Sequence, residues 1–118
     1  MPHTVKMLLD SQRAQLIENH ETNRPLQDTN PHDFEPVVKL FVSVMGNATW
    51  LLTELDPVTN VAFGLCDLGI GFPEIGYVSL TELEEELGWR LERDRHWTAD
   101  KTLSEYARNA RTVGAVLA

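Results

Sequence analysis

Cysteine is nearly absent from this chain. Cys66 is the only one in 118 residues, which excludes an intramolecular disulfide and any multi-cysteine metal centre. A reducing compartment is the simple expectation. The thiol sits inside the apolar run Ala62 to Leu68 and reads as a small buried hydrophobe rather than a nucleophile. Long apolar stretches are also missing: none approaches the roughly 20 residues that span a bilayer, so no membrane partner is expected. Met1 to Asp10 lacks the charged start, apolar segment and small-residue cleavage site of a secretory leader, and a cytoplasmic location follows as the expectation. The four histidines, His3, His20, His32 and His96, show neither H-x-H nor H-E-x-x-H spacing. His32-Asp33 with Glu35 offers mixed nitrogen and oxygen ligands, but in a loop expected to be the most mobile part of the chain. No metal and no cofactor is expected.

Positive charge is scarce where it would matter most. Between Pro25 and Trp89, Lys39 is the only basic residue, against eleven acidic ones. From Arg90 onward the balance reverses, with six basic residues against four acidic, and the whole chain carries −8. Direct binding to nucleic acid needs clustered Lys and Arg against phosphates, so that class is disfavoured. A protein with a basic surface, or a cation, would feel an attractive field. The plain alternative is solubility and ion pairing between the two segments.

What is present is ordinary globular material. With 42% hydrophobic and 24% charged residues, the chain fits one domain, 1–118, that buries about two-thirds of its unfolded surface. A first helix is predicted after Leu9, with Asp10 as N-cap, Leu9 and Ala14 as a hydrophobic staple and fraying near Asn19. The polar segment 20–36, with Pro25, Pro31 and Pro36, reads as a loop or linker. Val37 to Val44 is β-branched and aromatic, and Gly46-Asn47 suits a two-residue hairpin turn. Thr49 to Leu55 and Asn60 to Leu68 flank Asp56-Pro57-Val58-Thr59, a second hairpin with Leu55 expected opposite Asn60. Trp50, Leu52 and Glu54 would then share an inner face with Val61, Phe63, Leu65 and Asp67. Gly76-Tyr77-Val78 is a further strand. Ser79 to Glu82 and Thr102 to Glu105 are capping boxes opening helices that stop at Gly88 and Gly114. The expected fold is α+β: a small antiparallel sheet of about four strands packed against two or three helices.

Each candidate site has a structural competitor. Gly69-Ile70-Gly71-Phe72 lacks the third glycine and the following helix of a dinucleotide loop, so glycine there serves the turn. Glu54 and Asp67 share the predicted face, but six positions apart along the hairpin they stand about 20 Å from one another, too far for a carboxylate dyad. Asp67 and Glu74 bracket a loop, and with Tyr77 and Asp94, helped by Arg95 or Lys101, they would line a ligand pocket or assist proton transfer. The competing reading is an ion-pair network pinning the loop. His96 beside Asp94 has the makings of a general base, yet no serine or threonine carries a nucleophile motif. Trp50 belongs to the core, while Trp89 and Trp97 flank the basic segment, where either would anchor a partner.

Taken together, the strings Thr49–Pro57, Ala62–Gly69, Gly71-Phe72-Pro73-Glu74, Gly76-Tyr77-Val78-Ser79 and Glu92-Arg93-Asp94 resemble an uncharacterised bacterial family, domain of unknown function 2958. The resemblance runs roughly from Leu8 to Ala110. It departs at Leu87-Gly88-Trp89-Arg90-Leu91, where similar proteins tend to carry a Gly-Leu-Pro-type turn. The resemblance implies a short protein of plasmids, phages and integrative elements, with no established activity and no catalytic residues to transfer. The functional expectation is therefore a non-enzymatic interaction protein that meets a basic partner through Glu82, Glu84, Glu85, Glu86 and Trp89. Its sharpest form is a counter-defence inhibitor, anti-CRISPR or anti-restriction. The alternative is a small enzyme or ligand-binding module around Asp67, Glu74, Tyr77 and Asp94; a homo-oligomeric accessory is a third reading.

Overall fold

A computed structural model describes residues 7–118; His3 and most of the Met1 to Asp10 segment read above for a leader lie outside the described residues. Five strands form one antiparallel sheet: β1 (Val38–Val42), β2 (Ala48–Asp56), β3 (Val61–Asp67), β4 (Glu74–Ser79) and the two-residue β5 (Glu92–Arg93), in the order β4-β3-β2-β1-β5. Helices α1 (Asp10–Asn23) and α2 (Leu80–Leu87) pack on one face through Leu16, Leu80 and Leu83, against Val38, Leu40, Trp50, Leu52, Leu55 and Ala62. Helix α3 (Leu103–Val113) covers the other face, where Leu103, Tyr106, Ala107 and Ala110 meet Leu51 and Leu65. The α+β expectation holds, with one strand more than expected. Because both faces are covered, the middle of β2 is continuously buried and carries consecutive large apolar residues instead of alternating with polar ones. No helix among the described residues is long and apolar enough to cross a membrane.

The hairpin between β2 and β3 closes at Asp56-Pro57, as expected, but in a different register. Asp56 pairs with Val61 and Leu55 with Ala62, not with Asn60. The turn keeps four residues but moves one position along the chain, to 57–60, because Asn60 joins it in a left-handed backbone, φ 60, a conformation that asparagine tolerates. Asp56 Oδ1 accepts from the Val58 N–H at 2.9 Å and the Asp56 carbonyl accepts from the Asn60 N–H at 2.8 Å, which tightens the loop from both ends. A second departure follows at Thr53. Glu54 pairs with Phe63 but Leu52 pairs with Gly64, so Thr53 is an extra residue, a β-bulge. The bulge flips the alternation, and Trp50, Leu52 and Leu55 all reach the α1 and α2 face. The predicted inner face joining Trp50 and Leu52 to Phe63 and Leu65 is therefore wrong: Leu65 and Phe63 belong to the α3 side.

Helix α1 begins with Leu9 at the cap, not Asp10; the Leu9 N–H is satisfied by Gln12 Oε1 at 2.9 Å. The helix runs four residues past the predicted fraying point because its last turns are anchored to the sheet. Asn19 Nδ2 donates to the Thr53 carbonyl, freed by the bulge, at 2.9 Å. Asn23 holds Glu54 and His32 together. What remains of the 20–36 loop is fastened at several points. His32 is tied to Asn23, the Phe34 carbonyl accepts from Leu103 N–H at 2.9 Å, and Asp33 accepts from the Ser104 N–H at 3.1 Å and from its hydroxyl. The segment expected to be most mobile is a strap from α1 to the start of α3.

Between β1 and β2 the connection spans residues 43–47, since Val42 pairs with Ala48. A two-residue turn at Gly46-Asn47 does not form; Met45 (φ 59) and Gly46 (φ 148) share the reversal instead. Both helices are capped at the expected residues, but only the Thr102 cap is a full box; at Ser79 the return bond from its N–H to the Glu82 side chain does not form. Ser79 Oγ accepts from the Glu82 N–H at 3.2 Å, and Thr102 N–H donates to Glu105 Oε1 at 3.1 Å, with Gly88 and Gly114 ending the helices at positive φ.

Candidate interaction surface

The acidic helix α2 is positioned by its apolar residues. Leu80 and Leu83 are buried and Leu87 packs against the same core, a spacing that commits one face of the helix to the sheet. Glu82, Glu85 and Glu86 are thereby left exposed, while Glu84 is half-buried. Past Leu87 the chain turns at Gly88 (φ 52), where the Leu91 N–H closes a short 3-10 turn onto the Gly88 carbonyl at 3.2 Å. Trp89 rides on that turn and is 76% exposed. Trp97, the other tryptophan expected at a partner surface, instead packs by the buried Tyr106, ring centroids 6.0 Å apart.

Trp89 is continuous with an apolar end of the molecule that sequence reasoning missed. Arg90 Nη1 donates to the Met45 carbonyl at 3.3 Å, joining the Trp89 turn to the β1–β2 loop. That loop touches the β3–β4 loop: a Cβ on Gly69 would lie only 2.3 Å from the Asn47 carbonyl oxygen. The β3–β4 loop in turn runs beside the end of α3, where the Gly71 carbonyl stands 3.6 Å from a Cβ built on Gly114. Met45, Leu68, Ile70, Phe72, Val113 and Leu117 are all exposed along this route. Contiguous exposed apolar side chains mark contact surfaces more often than free ones. The available signal was the placing of large apolar residues next to glycine in turns, at Met45-Gly46 and Gly69-Ile70-Gly71-Phe72, where polar residues are usual.

The residues of the predicted ligand pocket are placed apart. Asp67 ends β3 and is buried; Oδ1 accepts from Gly69 N–H at 2.9 Å and Oδ2 from Val116 N–H at 3.0 Å. Its carboxylate is a clip between the β3–β4 loop and the chain after α3. Glu74 and Tyr77 lie on β4, an odd number of residues apart, so their side chains leave opposite faces. Tyr77 packs on Phe63 with ring centroids 5.1 Å apart and is otherwise exposed. Asp94 follows β5 at the far edge of the sheet, about 19 Å from β4 by strand spacing. There it faces Lys39 Nζ at 3.7 Å and accepts from the His96 backbone N–H at 3.2 Å. The His96–Asp94 contact thus runs through the main chain. Arg95 is exposed and Lys101 pairs with its neighbour Asp100 at 2.9 Å.

Two further ionisable groups are shaped by burial, Cys66 half-buried and Glu54 buried. Burial pushes the Cys66 thiol up to about 11, which keeps it protonated at neutral pH and unreactive. Glu54 is buried, and that burial raises its carboxyl above the usual range, partly offset by the Asn23 hydrogen bond and the charge of His20. Asp67 pairs with Thr49, five positions from Glu54 along β2, so about 16 Å separates the two acids; they form no dyad. Every buried side-chain nitrogen and oxygen among the described residues has a hydrogen-bond partner, so these interior polar groups serve the fold.

A family model, a protein of unknown function (DUF2958), matches residues 7–117, and the chain belongs to that family. No curated protein matches it, and no solved structure does.

Proposed function

We propose, for this member of a family without an assigned activity, a non-enzymatic role: the chain docks onto a protein with a basic surface. The observation that carries the reading is Trp89, 76% exposed on the turn that ends an acidic helix whose Glu82, Glu85 and Glu86 point to solvent. Binding surfaces are dominated by a few aromatic anchors, with charge at the rim setting orientation and encounter rate. Trp89 supplies the anchor, the apolar end from Met45 to Leu117 extends it, and α2 supplies the rim. The excess of carboxylates between Pro25 and Trp89 supports a narrower form of the reading. A compact acidic body competes with nucleic acid for a basic groove, which is the chemistry of an anti-CRISPR or anti-restriction inhibitor.

The test is quantitative affinity capture from a host lysate with the tagged full chain, compared with Trp89→Ala and with a Glu82→Gln, Glu85→Gln, Glu86→Gln triple variant. A specific partner should be depleted by about tenfold or more with Trp89→Ala and should become less salt-sensitive with the triple variant. Partners retained equally by all three proteins would refute the reading.

A further inference from the structure

The two edges of the sheet are built differently. The β5 edge is two residues long and charged, Glu92-Arg93, the usual protection against unwanted pairing. The β4 edge is six residues long, Glu74-Ile75-Gly76-Tyr77-Val78-Ser79, with its one charge at the first position. It holds no lysine, proline or bulge, and among the described residues it pairs only with β3.

Its free hydrogen-bonding groups can be assigned. The Leu80 N–H donates to the Asn60 carbonyl at 3.0 Å, one step beyond the Val61–Ser79 pair. In an antiparallel ladder alternate residues turn their backbone groups to the same neighbour. Glu74, Gly76 and Val78 therefore bond to β3, while the N–H and C=O of Ile75 and Tyr77 and the N–H of Ser79 point away from the sheet. The Ser79 carbonyl starts α2 and is used there. Tyr77, 68% exposed, stands beside this row as a wall for an incoming side chain.

From this geometry we infer that β4 receives an extended, lysine- or arginine-bearing segment of the partner as a sixth strand. The inference rests on the basic-partner reading above and names how that partner is held. The occupant follows from charge: Glu74 opens the strand, and α2, continuing directly from Ser79, exposes Glu82, Glu85 and Glu86. An added strand gains its affinity from main-chain hydrogen bonds and its selectivity from flanking side chains. A second copy of this chain would bring another −8 against the same carboxylates, so self-pairing is opposed.

The experiment measures amide exchange by NMR on the full chain. The probe is a peptide of about ten residues alternating lysine and threonine, with a glutamate–threonine control and a lysine peptide N-methylated at alternate residues. The lysine peptide should slow exchange of the Ile75, Tyr77 and Ser79 N–H groups by about tenfold or more. N-methylation should abolish this and the glutamate peptide should have no effect. If the lysine peptide shifts α2 and Trp89 signals but leaves those three amides unchanged, the strand-addition inference falls and the basic-partner reading stands. If it binds nowhere at low salt, both fall. Equal protection by the glutamate peptide, or protection that rises with protein concentration alone, overturns the basic occupant.

Discussion

Asn23 Nδ2 donates to Glu54 Oε2 at 3.0 Å, and this bond fastens the last turn of α1 to the bulged segment of β2. The same amide donates to the His32 carbonyl and its oxygen accepts from the His32 N–H at 2.8 Å. One buried side chain therefore joins helix, sheet and strap. Removing it leaves a buried carboxylate and a backbone N–H and carbonyl without partners. The expected cost of Asn23→Ala is about 2–4 kcal/mol, seen as a lowered chemical-denaturation midpoint, with earlier proteolysis in the strap than in wild type. A variant as stable as the parent would show that the strap is held by its α3 contacts alone.

Glu54 gives a pH-dependent companion to that result. Burial raises its carboxyl above the ordinary value of 4.5, so the folded protein holds this proton more tightly than the unfolded chain does. Ionisation then costs stability: the cost is absent below the unfolded value and grows as pH rises through the folded one. Glu54→Gln keeps an oxygen for Asn23 and cannot ionise. Between about pH 4 and about pH 7, the difference in unfolding free energy should move in favour of the variant. Movement toward wild type would contradict a raised carboxyl.

These residues also mark what sequence reading can and cannot reach. The hairpin closing at Asp56-Pro57, the caps at Ser79 and Thr102 and the stops at Gly88 and Gly114 rest on local chemistry, and local chemistry is written in the chain. Thr53 is different. Nothing at that position announces a bulge, because the extra residue is stabilised by Asn19, 34 positions away in sequence. Once the alternation slips there, every facing assignment upstream changes, and Trp50 joins Leu55 rather than Phe63. The strap failed for a related reason. Its prolines and polar residues look like a linker until Asn23 and Ser104 are seen to hold it. For the interaction surface, the acidic helix was legible from its leucine spacing, whereas the apolar end is assembled from three loops that only the fold brings together.

Gly64 tests the close approach of β2 and β3 beside the bulge. A Cβ at this position would lie 2.0 Å from the Leu51 carbonyl oxygen and 2.9 Å from the Leu52 Cα, both backbone atoms that cannot swing aside. Gly64→Ala should lower stability by about 1–3 kcal/mol or more and weaken amide protection around Leu51 to Thr53. Gly76→Ala on β4, where a Cβ meets nothing within 4 Å, is the control and should be nearly silent.

Asp33 makes the opposite pH statement to Glu54. Burial alone would raise its carboxyl, but hydrogen bonds from the Ser104 hydroxyl and N–H, a contribution from Thr102 and the charge of Arg108 hold it below the ordinary 3.8. A lowered folded value means the stabilisation is present above the unfolded value and is lost as pH falls through the folded one. Wild type should therefore lose stability on acidification below about pH 4 more steeply than Asp33→Asn, which lacks the titration. Parallel acid profiles would place the strap's attachment elsewhere.

Asp67 controls how the apolar end is presented. Its two oxygens accept from Gly69 and Val116, so one carboxylate sets the path of the β3–β4 loop and of the chain beyond α3 together. Asp67→Asn keeps one acceptor oxygen and turns an NH2 group toward the other N–H, a donor facing a donor. The cost expected is about 1–3 kcal/mol, concentrated locally: amide exchange should accelerate at Gly69 and Val116 while Leu51 and Leu65, in the sheet, stay protected. Ile70 and Phe72 would no longer be held beside Val113, so partner capture should fall along with it. Trp89 remains anchored through Arg90 and Met45, and the loss should accordingly be smaller than that caused by Trp89→Ala. A larger loss with Asp67→Asn would move the centre of the contact from the tryptophan to the loop.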